Sequence, residues 1–251
     1  MNEAMQSLLA MKKPDIGFPM LLVGGAVRDA LLGVDSKDWD FAVEAPDFPT
    51  LVATITEWVQ EPRRVFDVKD ETFTVRAQHP DFPPLDFVMC RQDGPYSDGR
   101  HPDFVNPGTF LDDSNRRDFS VNSMGLDLDS GDLFDPNGGH ADLMSRTLRF
   151  VGDAEQRVRE DALRILRAFR FEVTKGLTPE PSTWDACTNA FAVEMLGEMK
   201  LDRVREELEK CFKHDTLATF RLLERAGEGV RAAIFRDGLR MTATSAKAVN
   251  R

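Results

Sequence analysis

Apolar residues fall in short runs through the first 150 positions and then change period. Met20–Val23, Asp38–Val43, Phe73–Ala77 and Leu85–Cys90 are bounded by Gly, Pro and Asp, which is the length and punctuation of β-strands. Ala26–Leu32 and Thr50–Val59 read as helices between them. After Gly152 the strand signals fade, and residues 153–172, 184–196, 200–213 and 215–226 read as helices. Leu201, Val204, Leu208 and Phe212 recur at helical spacing and mark a core-facing stripe. The pattern predicts an α/β domain with a mixed sheet over residues 1–150 and an all-α domain over 151–251. It contains no internal repeat and no low-complexity segment.

Composition narrows this picture. The chain has 251 residues, 41% of them hydrophobic, and a formal net charge of -11. That is enough apolar material for a core, and acidic enough to exclude broad nonspecific nucleic-acid binding over the whole surface. A local basic site remains compatible with it. No apolar run approaches a bilayer span, so no membrane partner is expected, and the first residues carry no leader pattern. Cys90, Cys187 and Cys211 are odd in number and far apart, which excludes a disulfide framework and fits a reducing cytosol. The four histidines, at 79, 101, 140 and 214, show no metal-ligand spacing.

Two local features carry candidate chemistry. In "MLLVGGAVRDALL" (residues 20–32) a strand runs through Gly24-Gly25 into a helix, with Arg28 one turn in. Backbone N–H groups at such a turn, with a guanidinium beside them, suit phosphate oxygens; a tight turn with a surface Arg–Asp pair is the plainer alternative. In Asp38-Trp39-Asp40, strand alternation puts both carboxylates on one face. Either they keep an exposed edge soluble or they share a hard divalent cation such as Mg²⁺, with Asp86 of the "PLDFVMC" run as a third carboxylate from a neighbouring strand. Read as one helix, residues 160–171 place Ala162, Ile165, Leu166 and Phe169 on one side. Asp161, Arg164, Arg167 and Arg170 form a ribbon on the other, either solvated or aimed at a base. A carboxylate accepting from an exocyclic amino group, beside a guanidinium donating to a ring acceptor, would select cytosine and adenine over uracil and guanine.

These blocks stand in a recognisable order. "GGAVRDALLGVDSKDWDFAVE", "RQDGPYSDGRHP", "RRDFSVNSMGLD", "FDPNGGHADL", "REDALRILRAFRF" and "DRVREELEKCF" resemble the successive motifs of the class II tRNA nucleotidyltransferase and bacterial poly(A) polymerase family, within the polymerase-β-like nucleotidyltransferases. The resemblance covers roughly residues 20–240. It implies a catalytic head domain over 1–150, then a helical neck and shortened body over 151–251. It also implies addition of C, C and A to the 3′ end of tRNA from CTP and ATP.

By that resemblance Asp38 and Asp40 hold Mg²⁺, and Asp86 assists catalysis. Gly25 and Arg28 bind the triphosphate, Asp161 and Arg164 select the base, and Arg117, Arg167 and Arg170 contact the nucleotide. Asp118 and Asn122 lie near the ribose or hold the turn. Residues 92–103 form a mobile loop whose completeness favours adding the terminal A, with Arg91, Asp98 and Arg100 as its working residues. A poly(A) polymerase using ATP alone and a catalytically inactive nucleotide- or RNA-binding regulator are the alternatives. Family members are usually longer, which leaves homodimerisation open. Residues 221–251 carry seven Arg and Lys against three acidic residues, and the sequence reads as a phosphate-contacting tail there.

Overall fold

The structure is a computed structural model that describes residues 2–10, 13–36, 38–60, 64–82, 84–95 and 102–238. Its first part alternates strands and helices. In chain order these are α1 (Glu3–Leu9), β1 (Met20–Val23), α2 (Gly25–Leu31), β2 (Trp39–Val43), α3 (Phe48–Trp58), β3 (Val65–Lys69), β4 (Thr74–Ala77), β5 (Leu85–Met89), β6 (Arg91–Asp93) and β7 (Val105–Pro107). Then come α4 (Phe110–Asn115), β8 (Gly125–Leu126), β9 (Leu133–Phe134), α5 (Gly139–Met144) and β10 (Thr147–Leu148). Seven strands make the central sheet in the order β3-β4-β5-β2-β1-β8-β9. Its pairings are antiparallel except β2 with β5, which run parallel with Asp40 opposite Asp86.

β1 is buried at all four positions because both faces of the sheet are covered. Leu22 joins the main core with Ala26, Val27 and Phe41. Leu21 and Val23 join Ala42 and Cys90 on the other face, closed over by Phe110 and Phe134. Local chemistry sets the helix starts. Asp47 caps α3 by accepting from the Thr50 N–H at 2.7 Å, and Thr109 with Asp112 forms a reciprocal capping box on α4. Gly139 has no alternative, since a Cβ there would fall 2.1 Å from the Ser120 carbonyl oxygen.

Among the described residues from 154 to 238 the regular elements are helices apart from β11 (Thr178–Pro179), which pairs back onto β10. The helices are α6 (Ala154–Glu160), α7 (Leu163–Lys175), α8 (Pro181–Thr188), α9 (Ala190–Glu198), α10 (Leu201–His214), α11 (Thr216–Arg225) and α12 (Glu228–Ile234). α7 buries Ile165, Leu166 and Phe169 and packs against α10, where Val204 and Leu208 supply the predicted stripe. One apolar cluster runs without interruption from Met5 to Ile234. Among the described residues no helix is long and apolar enough to cross a membrane.

Two of the expected helices are broken. Residues 160–171 are not one helix. Asp161 is extended (φ -150, ψ 106) and ends α6, and its carboxylate accepts from the Leu163 N–H at 3.0 Å to start α7. Residues 184–196 are split by Asn189, which ends α8 and caps α9 by accepting from the Ala192 N–H at 2.9 Å. In the basic tail, three arginines make contacts within the protein. Arg225 pairs with Glu172 and lies 4.0 Å over the Trp184 ring. Arg231 donates to the carbonyls of Leu223 and Glu224, and Arg236 to those of Leu196, Met199 and Ala233. Arg231 and Arg236 thus close helix ends, and Arg225 ties α11 to α7 and α8. Arg240, Lys247 and Arg251 lie outside the described residues. Arg236→Ala is therefore expected to lower unfolding stability by about 1–3 kcal/mol, because it strips part-buried carbonyls of their donor. Urea denaturation followed by circular dichroism measures the loss.

Candidate nucleotide-binding site

The last residue of β1, Val23, lies opposite Asp40 on β2. Gly24 then turns the chain into α2 with φ 73 and ψ -132, a conformation that side chains avoid. A Cβ there would come 3.4 Å from Arg117 Nη1 and 3.7 Å from Asp40 Oδ2, so the positive φ and not crowding calls for glycine, and a cation and a carboxylate lie beside the turn. α2 has only seven residues, so the attraction for an anion rests on side-chain cations more than on a helix dipole.

A cavity of about 530 Å³ opens on this turn, large enough for a nucleotide. Gly24, Gly25, Asp40 and Asp86 line its sheet side, and Asp161, Arg164, Arg167 and Arg170 line its helical side. Arg28, Arg117 and Asn122 complete the wall between them. Burial pushes the Asp40 carboxyl above its ordinary range, and the charges of Asp86 and Asp38 add to that rise against the lowering effect of Arg117. A buried carboxylate under like-charge pressure suits a hard divalent cation, and the oxygen donors present fit one.

The cations are held by a network of buried carboxylates. Arg117 donates to Asp113 Oδ2 through Nε at 3.0 Å and Nη2 at 2.8 Å, and Arg116 pairs with Asp113 Oδ1. Burial favours the neutral acid at Asp113, yet the two guanidiniums overcome it and hold the carboxyl at about 2. Asp118 is similar. Burial opposes its charge, but Arg167 and the donors from Asn122 and Phe119 bring it to about 2. Asn122 donates to Asp118 at 3.0 Å and accepts from Arg28 Nη1 at 2.5 Å. Arg28 also pairs with Asp29 at 2.8 Å, and Lys175 reaches the same carboxylate at 3.1 Å. Arg28, Arg167 and Arg170 all stand over the Phe171 ring, 5.2, 5.8 and 5.4 Å from its centroid.

The sequence-predicted residues divide accordingly. Gly25, Arg28, Asp40, Asp86, Arg117, Asp161, Arg164, Arg167 and Arg170 converge on one cavity. Asp38 precedes β2, is exposed and is not part of the cavity wall, although its charge is felt at Asp40. The Asp161 carboxylate and the Arg164 guanidinium do not bond each other, although the Arg164 N–H donates to the Asp161 carbonyl at 3.0 Å. Arg164 donates to Glu160 at 2.6 Å and to the carbonyls of Arg157 and Arg116. Asp118 lines the cavity too and is bonded through both carboxylate oxygens within the protein, so it holds the turn and the wall together. Arg91 is buried in β6, where it donates to Asp93 at 2.7 Å and to the Thr72 carbonyl at 2.5 Å, away from the cavity. Asp98 and Arg100 lie outside the described residues. Asp113 and Phe171 escaped the sequence reading. Asp113 looks like one more acid in "FLDDSN", and only its i,i+3 and i,i+4 spacing to Arg116 and Arg117 could have pointed to it.

The seven-stranded mixed sheet, the adjacent carboxylates at the strand–turn–helix corner and the helical wall of arginines define a head domain of the polymerase-β-like nucleotidyltransferase type. Residues 20–149 match the family of the poly A polymerase head domain, and the chain belongs to that family. The CCA-adding enzyme of Oceanobacillus iheyensis is 37% identical over 199 residues, covering 78% of this chain and 46% of the relative. That of Geobacillus stearothermophilus is 35% identical over 198 residues, covering 77% and 45%. The chain thus spans less than half the length of these relatives. Among solved structures, the Bacillus stearothermophilus CCA-adding enzyme in complex with CTP superposes with a TM-score of 0.76 at 29% identity, covering 94% of this chain and 55% of that one. The Thermotoga maritima CCA-adding enzyme complexed with tRNA_CCA gives 0.74 at 25% identity, covering 94% and 57%.

Proposed function

We propose that this chain is a template-independent RNA nucleotidyltransferase that adds C, C and A to tRNA 3′ ends from CTP and ATP. The supporting observation is the single cavity with carboxylates on its sheet side and arginines on its helical side. The triphosphate lies along Gly25, Arg28 and Arg117, and the base points toward Asp161 and Arg164. Arg167 and Arg170 sustain the positive potential between them. Asp86, beside Asp40, orients the hydroxyl of the RNA end that attacks the α-phosphorus, and pyrophosphate leaves. Mg²⁺ bound by Asp40 and Asp38 would lower the pKa of that hydroxyl and neutralise charge on the leaving group. The division into a catalytic head over 1–150 and a helical neck from 151 follows the same reading. The three buried, free thiols accord with a reducing cytosol.

Incorporation of radiolabelled CTP and ATP into tRNA lacking its CCA end tests the reading directly. Ordered incorporation of both supports it, ATP addition alone indicates a poly(A) polymerase, and none with either nucleotide overturns it. Base selection has its own test. Asp161→Ala should relax discrimination against UTP by about 1–3 kcal/mol, because the O4 acceptor of uracil no longer meets a carboxylate. Equal rate losses with CTP, ATP and UTP would mean that Asp161 serves only to break α6 from α7.

A further inference from the structure

Asp86 is the carboxylate nearest in register to Asp40, yet it is already engaged. β4 and β5 pair antiparallel with Arg76 directly opposite Asp86. Across that pair Arg76 Nε donates to Oδ1 at 2.5 Å, and Nη2 donates to Oδ2. The fork-to-fork contact takes up both carboxylate oxygens, the geometry in which guanidinium and carboxylate bind best. Asp86 is largely covered, at 19% side-chain exposure, while Arg76 reaches in from the rim at 47%. Among the described residues, no three carboxylate, histidine or cysteine side chains gather closely enough to hold a metal ion. The two strands thus bring Asp40 and Asp86 side by side, and Arg76 ties the second one up.

We infer that Arg76 is a positioning residue that withholds Asp86 from the metal and so sets how tightly the site binds a divalent cation. This rests on the proposed metal role of Asp40 and Asp38. Two effects act in the same direction. Arg76 places a positive charge beside a cation site, and it occupies the oxygens that would add a third carboxylate ligand. Cation affinity at oxygen sites rises with the number of charged ligands, so removing Arg76 strengthens binding. The restraint has a chemical purpose. A carboxylate kept off the metal stays in place beside the reacting hydroxyl, and the metal retains open positions for substrate oxygens.

Mn²⁺ titration of the purified chain, followed by electron paramagnetic resonance without nucleotide or RNA, tests this. Wild-type protein should bind Mn²⁺ in a manner abolished by Asp40→Asn. Arg76→Met should bind it about five- to tenfold more tightly. Arg76→Lys should fall between the two, because it keeps the charge and loses the fork. Asp86→Asn should weaken wild-type binding severalfold, because its charge beside Asp40 is lost and that of Arg76 is left unopposed, and in the Arg76→Met background it should remove most of the gain. If Arg76→Met only lowers the melting temperature and leaves Asp40-dependent Mn²⁺ affinity unchanged, Arg76 merely pins β4 to β5 and the inference fails alone. A loss in Asp86→Asn as complete as that in Asp40→Asn would make Asp86 a ligand in the wild type and also overturns it. Wild-type protein without Asp40-dependent Mn²⁺ binding overturns the metal reading together with the inference.

Discussion

Asp40→Asn is expected to cut CTP and ATP incorporation by about three to four orders of magnitude while leaving the protein folded. Charge stabilisation by a bound metal is worth several kcal/mol at the transition state, and each 1.4 kcal/mol is about tenfold in rate. Asp40 is the carboxylate that both lines the cavity and is pressed by its neighbours. The same pressure fixes the stability result. Burial, then Asp86, raises the Asp40 carboxyl above its ordinary value, so the native state holds this proton more tightly than the unfolded chain. Stability from this group therefore falls as pH rises out of the acid range. The asparagine variant should be at least as stable as wild type at neutral pH, and the difference should vanish below the ordinary carboxylate pKa of about 4. Incorporation assays and thermal melts at several pH values check both halves. A variant that keeps a tenth of the activity would remove Asp40 from the chemistry.

Asp118→Asn should have the largest effect on stability. Asp118 ties the turn at residues 118–122 to α7, since it accepts from Asn122, the Phe119 N–H and Arg167. Replacing it leaves the Arg167 guanidinium facing an amide in a largely enclosed site, and breaking a buried pair from one side costs about 3–5 kcal/mol. The pH dependence has the opposite sign to that of Asp40. The folded Asp118 carboxyl titrates near 2, below its unfolded value of 3.8, so its contribution is complete above that unfolded value. It is lost as pH falls from there toward 2. Wild-type protein should lose this increment over that interval and Asp118→Asn should not, which denaturant melts at pH 7, 4 and 3 would measure. Nucleotide affinity should fall too, since Asn122 and Arg28 are aligned through the same carboxylate.

The central strands were legible because local pattern and tertiary burial agree there. Met20–Val23 is apolar at every position since both faces are covered, and the glycines after it could only mark a sharp turn. β3 was missed for a different reason. Phe66-Asp67-Val68-Lys69 does alternate, but it is a five-residue edge strand whose apolar positions, Phe66 and Val68, are exposed, so no apolar run bounds it. The break at Asp161 was hidden because it spans only two residues, and the apolar spacing on either side continues in phase. At the site, residues within motifs could be found, but their partners could not. Asp118 and Arg167 are 49 positions apart, and nothing near Arg76 signals that β4 will lay it across Asp86. Long-range pairings of this kind are a property of the topology, and a single sequence does not display them.

The uninterrupted core from Met5 to Ile234 makes the nucleotide cavity a cooperative property of the whole described chain. One wall belongs to the sheet and the other to α7, and residues of the same core cluster lie behind both. Local opening of α7 would dissolve the site as completely as melting the strands would. Conversely, a ligand that spans both walls adds its binding free energy to the global unfolding equilibrium. Substrate concentration then becomes a determinant of lifetime against proteolysis, so that a nucleotide-starved molecule would be the one most readily cleared.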